Sequence, residues 1–339
     1  MERILPDRIT FQWHITDQCN LRCRHCYQES YASPGLPATE LENLLGNMTD
    51  FVKACRQQRG NARARINITG GEPFLKEELF PLLDRIAGSG LFTFGILTNG
   101  FLPPPEKLKH LAELKPDYIQ VSMEGERETN DLIRGEGSFD RTLEAVRTYR
   151  RYNIPVMISF TANALNHQKF PGVVRIARRL GAYKVWTDRY LPSSPDDPLQ
   201  LSPEQTKAYF ELLGREKRKF SLYAHTRTEV AANRSLQFLV AGGVPYSCSA
   251  GRSLLAVLPD GTVLPCRRLP INVGNALQES LVDIYMNNSV LRELDDPEKT
   301  DGACASCYYR QLCRGGLKCL SWALTGDFHR KDPGCPLNF

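Results

Sequence analysis

Phe11-Gln12-Trp13-His14-Ile15-Thr16-Asp17-Gln18-Cys19-Asn20-Leu21-Arg22-Cys23-Arg24-His25-Cys26-Tyr27 runs from a β-rich segment, residues 11–16, into a loop with three cysteines at Cx3Cx2C spacing. Three thiolates are one too few to close a four-iron cubane. At this spacing they can hold three irons of a four-iron, four-sulfur cluster and leave the fourth open to an outside ligand. Taken alone, the same spacing also fits half of a zinc site. Downstream, β-rich runs at 65–69, 92–97, 118–122, 156–161 and 184–187 alternate with segments at 39–55, 77–87, 106–114, 139–149 and 171–180 whose apolar residues recur every three or four positions. Strands of period two alternating with helices of period 3.6 predict successive βα units. The fold class is therefore α/β, a partial (β/α)6 TIM-like barrel with its active site at the C-terminal strand ends.

A Pro/Ser/Asp-rich segment at 192–198 marks the exit from the barrel, and 202–217 is predicted as a helix opened by Ser202 and Pro203. A hairpin is signalled by 254–258 and 262–266 around Pro259-Asp260-Gly261. The expected organisation is a barrel over 1–200, a helical linker region over 201–245 and a cysteine-rich, loop-rich domain over 246–339. That last stretch reads as having too little apolar surface to fold without metal.

Eleven cysteines are many for a chain without a signal peptide, and they fall in two groups: three at 19–26 and seven at 248–335, with Cys55 apart. A reducing cytoplasm favours metal binding over disulfides as the reason for them. Cys55 lies on the inner pattern of a helix and reads as a buried structural thiol. His14 and His25 carry no partner pattern and are not read as ligands. The formal charge of +5 and the absence of any long Lys/Arg block argue against nucleic-acid binding, and no apolar run reaches the roughly 18 residues of a membrane span.

The Cx3Cx2C run followed by Tyr27 resembles the signature of the radical S-adenosylmethionine (SAM) superfamily. Thr69-Gly70-Gly71-Glu72-Pro73, at the end of the second strand, resembles that family's GGE motif, where backbone and carboxylate groups receive the methionyl ammonium of SAM. Its glycines also suit a close backbone approach by a ligand. Ser122-Met123-Glu124-Gly125 and Ile133-Arg134-Gly135 follow the fourth strand as in relatives that modify peptides. The resemblance implies SAM contacts from Gly70, Gly71, Glu72, Pro73, Ser122, Arg134 and Asn163, with Arg134 paired to the SAM carboxylate. Relatives carry Asp where this chain has Glu124, which receives no role.

Cys248, Cys266, Cys304, Cys307, Cys313, Cys319 and Cys335 form C-x17-C, then C-x2-C-x5-C-x5-C, then C-x15-C. The array resembles the SPASM extension of radical SAM enzymes. It implies one auxiliary cluster on Cys304, Cys307, Cys313 and Cys335 and another on Cys248, Cys266 and Cys319. The five-residue gap before Cys319, where three is usual, makes that cysteine a departure from the pattern. The resemblance thus implies SAM, one catalytic four-iron cluster on Cys19, Cys23 and Cys26, and two auxiliary four-iron clusters. SAM cleavage would yield methionine and a 5′-deoxyadenosyl radical that takes hydrogen from the substrate.

The expected substrate is a ribosomally made peptide undergoing oxidative modification. Radical modification of a porphyrin or other small cofactor precursor is the alternative, and a non-catalytic iron–sulfur carrier is a third. The chain begins about ten residues before its first strand, which leaves no room there for a leader-binding domain. Expected partners are a flavodoxin- or ferredoxin-like electron donor and, for a peptide substrate, a separate leader-peptide-binding protein. Nucleic acid and membrane are not expected.

Overall fold

The computed structural model describes residues 3–222, 228–231, 235–300 and 302–337. The chain divides into two compact units. One holds 1–20, 28–119 and 249–296; the other holds 21–27, 120–248 and 297–339.

In the first unit β1 (Arg8–His14), β2 (Arg63–Thr69) and β3 (Phe92–Thr98) are parallel neighbours, in register through Phe11 opposite Ile66 and Ile66 opposite Phe94. They alternate with α1 (Ala38–Arg59), α2 (Leu79–Gly88) and α3 (Pro105–Glu113). The α1 stripe Leu41, Leu44, Leu45, Met48, Phe51, Val52 and Cys55 is buried, as its three- and four-residue spacing requires. Cys55 is fully buried and its thiol is pushed up to about 11, chiefly by burial, as befits an inert core cysteine. Gly60, at φ 77, ends the helix in a backbone state that a side chain would disfavour.

The second unit takes the chain over within β4 (Tyr118–Ser122). It continues through α4 (Arg127–Arg134), α5 (Ser138–Arg151), β5 (Val156–Ala162), α6 (Phe170–Leu180), β6 (Lys184–Arg189), α7 (Pro203–Leu222) and the short β7 (Glu229–Val230). β5, β6 and β7 are parallel. All six strands expected from the sequence form, with ends moved by at most three residues. The helix expected at 202–217 forms and runs longer.

The hairpin forms as β8 (Leu254–Val257) and β9 (Thr262–Leu264), antiparallel, with β10 (Gly274–Asn275) beyond it. Its turn closes through Leu258 N–H to Thr262 O and Gly261 N–H to Leu258 O. β8 also pairs in parallel with β1, Thr10 opposite Leu254, so this segment extends the first unit's strands. The expectation that the chain from residue 246 onward lacks an apolar core is overturned over 254–294. Leu255, Val257, Val263, Leu264, Leu281, Ile284, Tyr285, Leu291 and Leu294 are all buried. Tyr285 stacks edge-on to Phe51, which in turn meets Phe11. No helix among the described residues is long and apolar enough to cross a membrane.

Candidate active site

In the first unit the ends of β1, β2 and β3 meet at Glu72. This residue is fully buried, and its carboxylate accepts from Thr98 Oγ1–H (2.9 Å), Asn99 N–H (2.8 Å) and Phe74 N–H (3.1 Å). The carboxylate thereby fixes the Thr98–Asn99 turn and the short helical turn that begins at Pro73. Asn99, so placed, donates from Nδ2 to Asn20 Oδ1 (2.7 Å) and towards Cys19 Sγ (3.6 Å).

The two glycines of the motif have a packing reason that the sequence did not reveal. A Cβ at Gly70 would stand 2.2 Å from Thr16 O, and one at Gly71 would stand 2.1 Å from Gln18 O. Gly71 N–H donates to Thr16 O and Glu72 N–H to Gln18 O, both at 2.8 Å. The motif is therefore laced to the segment that leads into Cys19. His14, at the end of β1 opposite Thr69, is buried, and its Nε2 has no partner among the described residues. Burial first, and the Arg267 charge second, lower its pKa to about 3, so the ring is neutral at pH 7.

In the second unit Cys23 and Cys26 lie on one turn, with Cys26 N–H donating to Cys23 O at 3.1 Å. Between them Arg24 N–H donates to Ile133 O at 2.8 Å, and His25 Nε2 reaches Glu124 Oε1 at 3.2 Å. Glu124 is a buried hub. Its Oε1 also lies 3.5 Å from Arg134 Nη1, and its Oε2 accepts Thr161 N–H at 2.9 Å. Burial alone would raise this carboxyl's pKa. The charge and hydrogen bond of His25, the Arg134 guanidinium and Thr161 N–H outweigh burial and hold it below the usual glutamate range.

Sequence reasoning gave Glu124 no role and His25 no partner. Their pairing was foreshadowed only by a histidine inside the cysteine spacing and an acid just past a strand end. Arg134 is buried, and its Nε has no acceptor among the described residues, which suits a carboxylate ligand. Ser122 ends β4. Asn163 is buried and its side chain is engaged in its own turn, accepting Leu165 N–H at 2.9 Å.

Cys304, Cys307, Cys313 and Cys335 line one cavity with about 340 Å³ of empty space, together with Leu236, Phe238, Tyr309 and Gly315. All eleven cysteines are free. Burial, then Asp332, pushes the Cys313 thiol up to about 12; burial, then Cys335 and Cys307, raises Cys304. Such thiols stay protonated unless a metal takes the proton's place. Among the described residues no three His, Cys, Asp or Glu side chains converge as they would on a single ion; the four thiols ring a wider space, which suits a cluster.

Asp332 holds this cavity's rim. It accepts both guanidinium nitrogens of Arg189, at 2.8 and 2.6 Å, together with Leu317 N–H and Gly334 N–H, each at 2.9 Å. Cys319 is buried on the helix Lys318–Thr325 and does not line the cavity. Cys248 is half-buried in the second unit, and Cys266 is half-buried in the first, beyond β9.

Parallel strands feeding a Cx3Cx2C loop, a GGE turn and a four-thiol cavity define a radical SAM enzyme with an auxiliary iron–sulfur domain. The chain belongs to the radical SAM superfamily, whose family model matches residues 13–179, and it carries a SPASM iron–sulfur cluster-binding domain matched over 248–308. The βα series is accordingly the partial barrel expected, and the protein uses SAM and [4Fe–4S] clusters. Among curated proteins it is similar to an AdoMet-dependent heme synthase of Methanosarcina barkeri, 28% identical over 95% of both chains. It is also similar to one of Oleidesulfovibrio alaskensis, 23% identical over 95% of this chain and 86% of that one. Among solved structures it resembles anSMEcpe with bound AdoMet and Cp18Cys peptide, at TM-score 0.76 and 18% identity, covering 96% of this chain and 93% of that one.

Proposed function

We propose that this enzyme carries out a radical SAM modification of a tetrapyrrole precursor in heme formation. One observation carries the reading: the match to an AdoMet-dependent heme synthase spans 95% of both chains at 28% identity. The likeness to the peptide-bound anSMEcpe structure is one of fold, at 18% identity. A peptide substrate therefore rests on the SPASM array and on the Ser122–Gly125 and Ile133–Gly135 runs. Tetrapyrrole precursors carry carboxylates, which a chain of net charge +5 is suited to attract.

When bound, SAM and the cluster supply one-electron cleavage of SAM and a carbon-centred group able to take a hydrogen atom from the substrate. In our reading Cys19, Cys23 and Cys26 hold the catalytic cluster. Cys304, Cys307, Cys313 and Cys335 hold one auxiliary cluster, and Cys248, Cys266 and Cys319 another. Gly70, Gly71, Glu72 and Pro73 shape the turn that receives the SAM amine, and Ser122 and Asn163 supply further SAM contacts. Arg134 pairs its open Nε with the SAM carboxylate, while Glu124 keeps the guanidinium oriented and ties it, through His25, to the cysteine loop. A low-potential carrier such as flavodoxin or ferredoxin, in the cytoplasm, would deliver the electron.

The test is anaerobic incubation of the reconstituted, reduced protein with SAM and a propionate-bearing porphyrin, with and without iron. The reading expects 5′-deoxyadenosine and methionine in step with a mass loss from the porphyrin, all abolished in Cys23→Ala. Turnover with a peptide and none with any porphyrin would overturn it.

A further inference from the structure

Lys318 is the first residue of the helix Lys318–Thr325 and is only 5% exposed. Burying an ammonium is costly unless compensating charge lies near. Among the described residues no carboxylate pairs with Lys318; burial lowers its pKa, the thiols Cys248, Cys304 and Cys313 act to raise it, and the Arg314 guanidinium opposes them. Its Nζ would lie 3.6 Å from a Cβ placed on Gly315, a residue that lines the four-thiol cavity. The two cations that line that cavity are already engaged: Arg310 with the Glu298 carboxylate, and Lys331 with Leu337 O. Lys318 is thus a buried cation next to the cavity that the four thiols line, and a negatively charged group held there would compensate it.

We propose that Lys318 is a redox-tuning residue, a fixed positive charge that raises the reduction potential of the cluster bound by Cys304, Cys307, Cys313 and Cys335. This rests on the ligation read above. A four-iron cluster with four thiolates takes up one electron without bond formation or proton transfer, and its net charge goes from 2− to 3−. A neighbouring ammonium in a poorly solvated site stabilises the more negative, reduced form. A higher potential suits a cluster that accepts an electron rather than one that delivers it to SAM. Cys248 also acts on Lys318 electrostatically, so the field of this cation reaches one thiol assigned to the other auxiliary cluster.

The experiment is a redox titration of the full, reconstituted chain followed by electron paramagnetic resonance, with dithionite as reductant. The relevant signal is identified as the one lost in Cys307→Ala; if the parent has no such signal, the ligation reading fails and not this proposal alone. Lys318→Gln should keep its iron and shift the one-electron equilibrium of that signal at least about tenfold towards the oxidised form, about 59 mV. Lys318→Arg should titrate near the parent. Three results would overturn the proposal: an unchanged potential in Lys318→Gln, equal shifts in Lys318→Gln and Lys318→Arg, or loss of this cluster's iron from Lys318→Gln, which would make the residue structural.

Discussion

Replacing Asp332 by Ala removes the acceptor for four donors in one step. Arg189 would keep a side chain that is 6% exposed and has lost both of its 2.6–2.8 Å contacts to Asp332, while Leu317 N–H and Gly334 N–H would lose theirs. Stranding one member of a buried ion pair costs about 3–5 kcal/mol, most of it the penalty of an uncompensated charge. Asp332→Asn keeps an oxygen for part of this set and should cost less. The damage should also reach the cluster, because Cys335 N–H donates to Asp332 O at 3.0 Å and Gly316, where a Cβ would stand 2.4 Å from the Asp332 side chain, follows Cys313 by three residues. Denaturant unfolding followed by tryptophan fluorescence, with Trp322 on the adjoining helix as reporter, and iron per chain are the two readouts. We expect loss of about 3–5 kcal/mol and of roughly four irons. The pH dependence has a definite sign. Burial would raise the Asp332 carboxyl, but Arg189 and the two N–H donors hold it below its usual value. Its stabilisation is therefore present above the unfolded value of about 3.9 and disappears as pH falls through the lower folded value. Parent and Asp332→Asn should converge at that acid end. An Asp332→Ala protein within about 1 kcal/mol of the parent and with full iron would refute the reasoning.

Three further outcomes are expected. Glu124→Gln removes the charge between His25 and Arg134 and should weaken SAM binding by about tenfold or more, measured by equilibrium dialysis; unchanged affinity would show that the hub does not orient Arg134. His14→Gln should flatten the stability profile between about pH 6.5 and 3. A histidine whose folded pKa lies at about 3 binds its proton preferentially when unfolded and costs stability as pH falls through that window, and parallel acid titrations of parent and variant would show no such difference if His14 is solvated. Gly71→Ala drives a Cβ to within 2.1 Å of Gln18 O and should cost about 1–3 kcal/mol and displace Cys19, read as lost iron and lost stability; a full-iron, equally stable protein would exclude the packing role.

The six parallel strands were legible because each is a short β-rich run followed by a helix with an apolar stripe, and both periodicities survive in one sequence. Helix α4 and the pairing of β8 with β1 were not. Helix α4 buries Asn130, Ile133 and Arg134, so two of its three inward positions are polar and no stripe marks it. Those positions turn inward for hydrogen bonds: Asn130 Oδ1 accepts Glu124 N–H at 2.8 Å and its Nδ2 reaches Ser138 Oγ at 2.9 Å. The pairing of β8 with β1 joins Thr10 to Leu254, and no local pattern specifies which edge a four-residue strand will find. That edge also explains the misjudged apolar content of 254–294. Its apolar residues are spaced for a strand pair beside β1 and for a short helix, Leu281–Asn287, packed on α1, partners outside the window in which periodicity is sought.

The candidate site divides along similar lines, and the division follows from what each residue type has to do. The ligating thiols follow a family pattern along the chain, so the resemblance to the SPASM extension implied the grouping of Cys304, Cys307, Cys313 and Cys335 before any cavity was known. The carboxylates Glu72, Glu124 and Asp332 are constrained by donors that only the fold assembles: strand-end N–H groups for Glu72, a loop histidine and a helix arginine for Glu124, a strand-end arginine and two turn N–H groups for Asp332. Each stands next to a stretch that carries a cluster cysteine or a proposed SAM contact, and each collects several donors in a buried place where a lone carboxylate would be costly. An acid that is expensive to bury and nevertheless buried must be holding something whose position matters more than the energy of burying it. By that argument these three residues, and Lys318 as the corresponding cation, fix the geometry and charge around groups that the cysteine pattern could only locate.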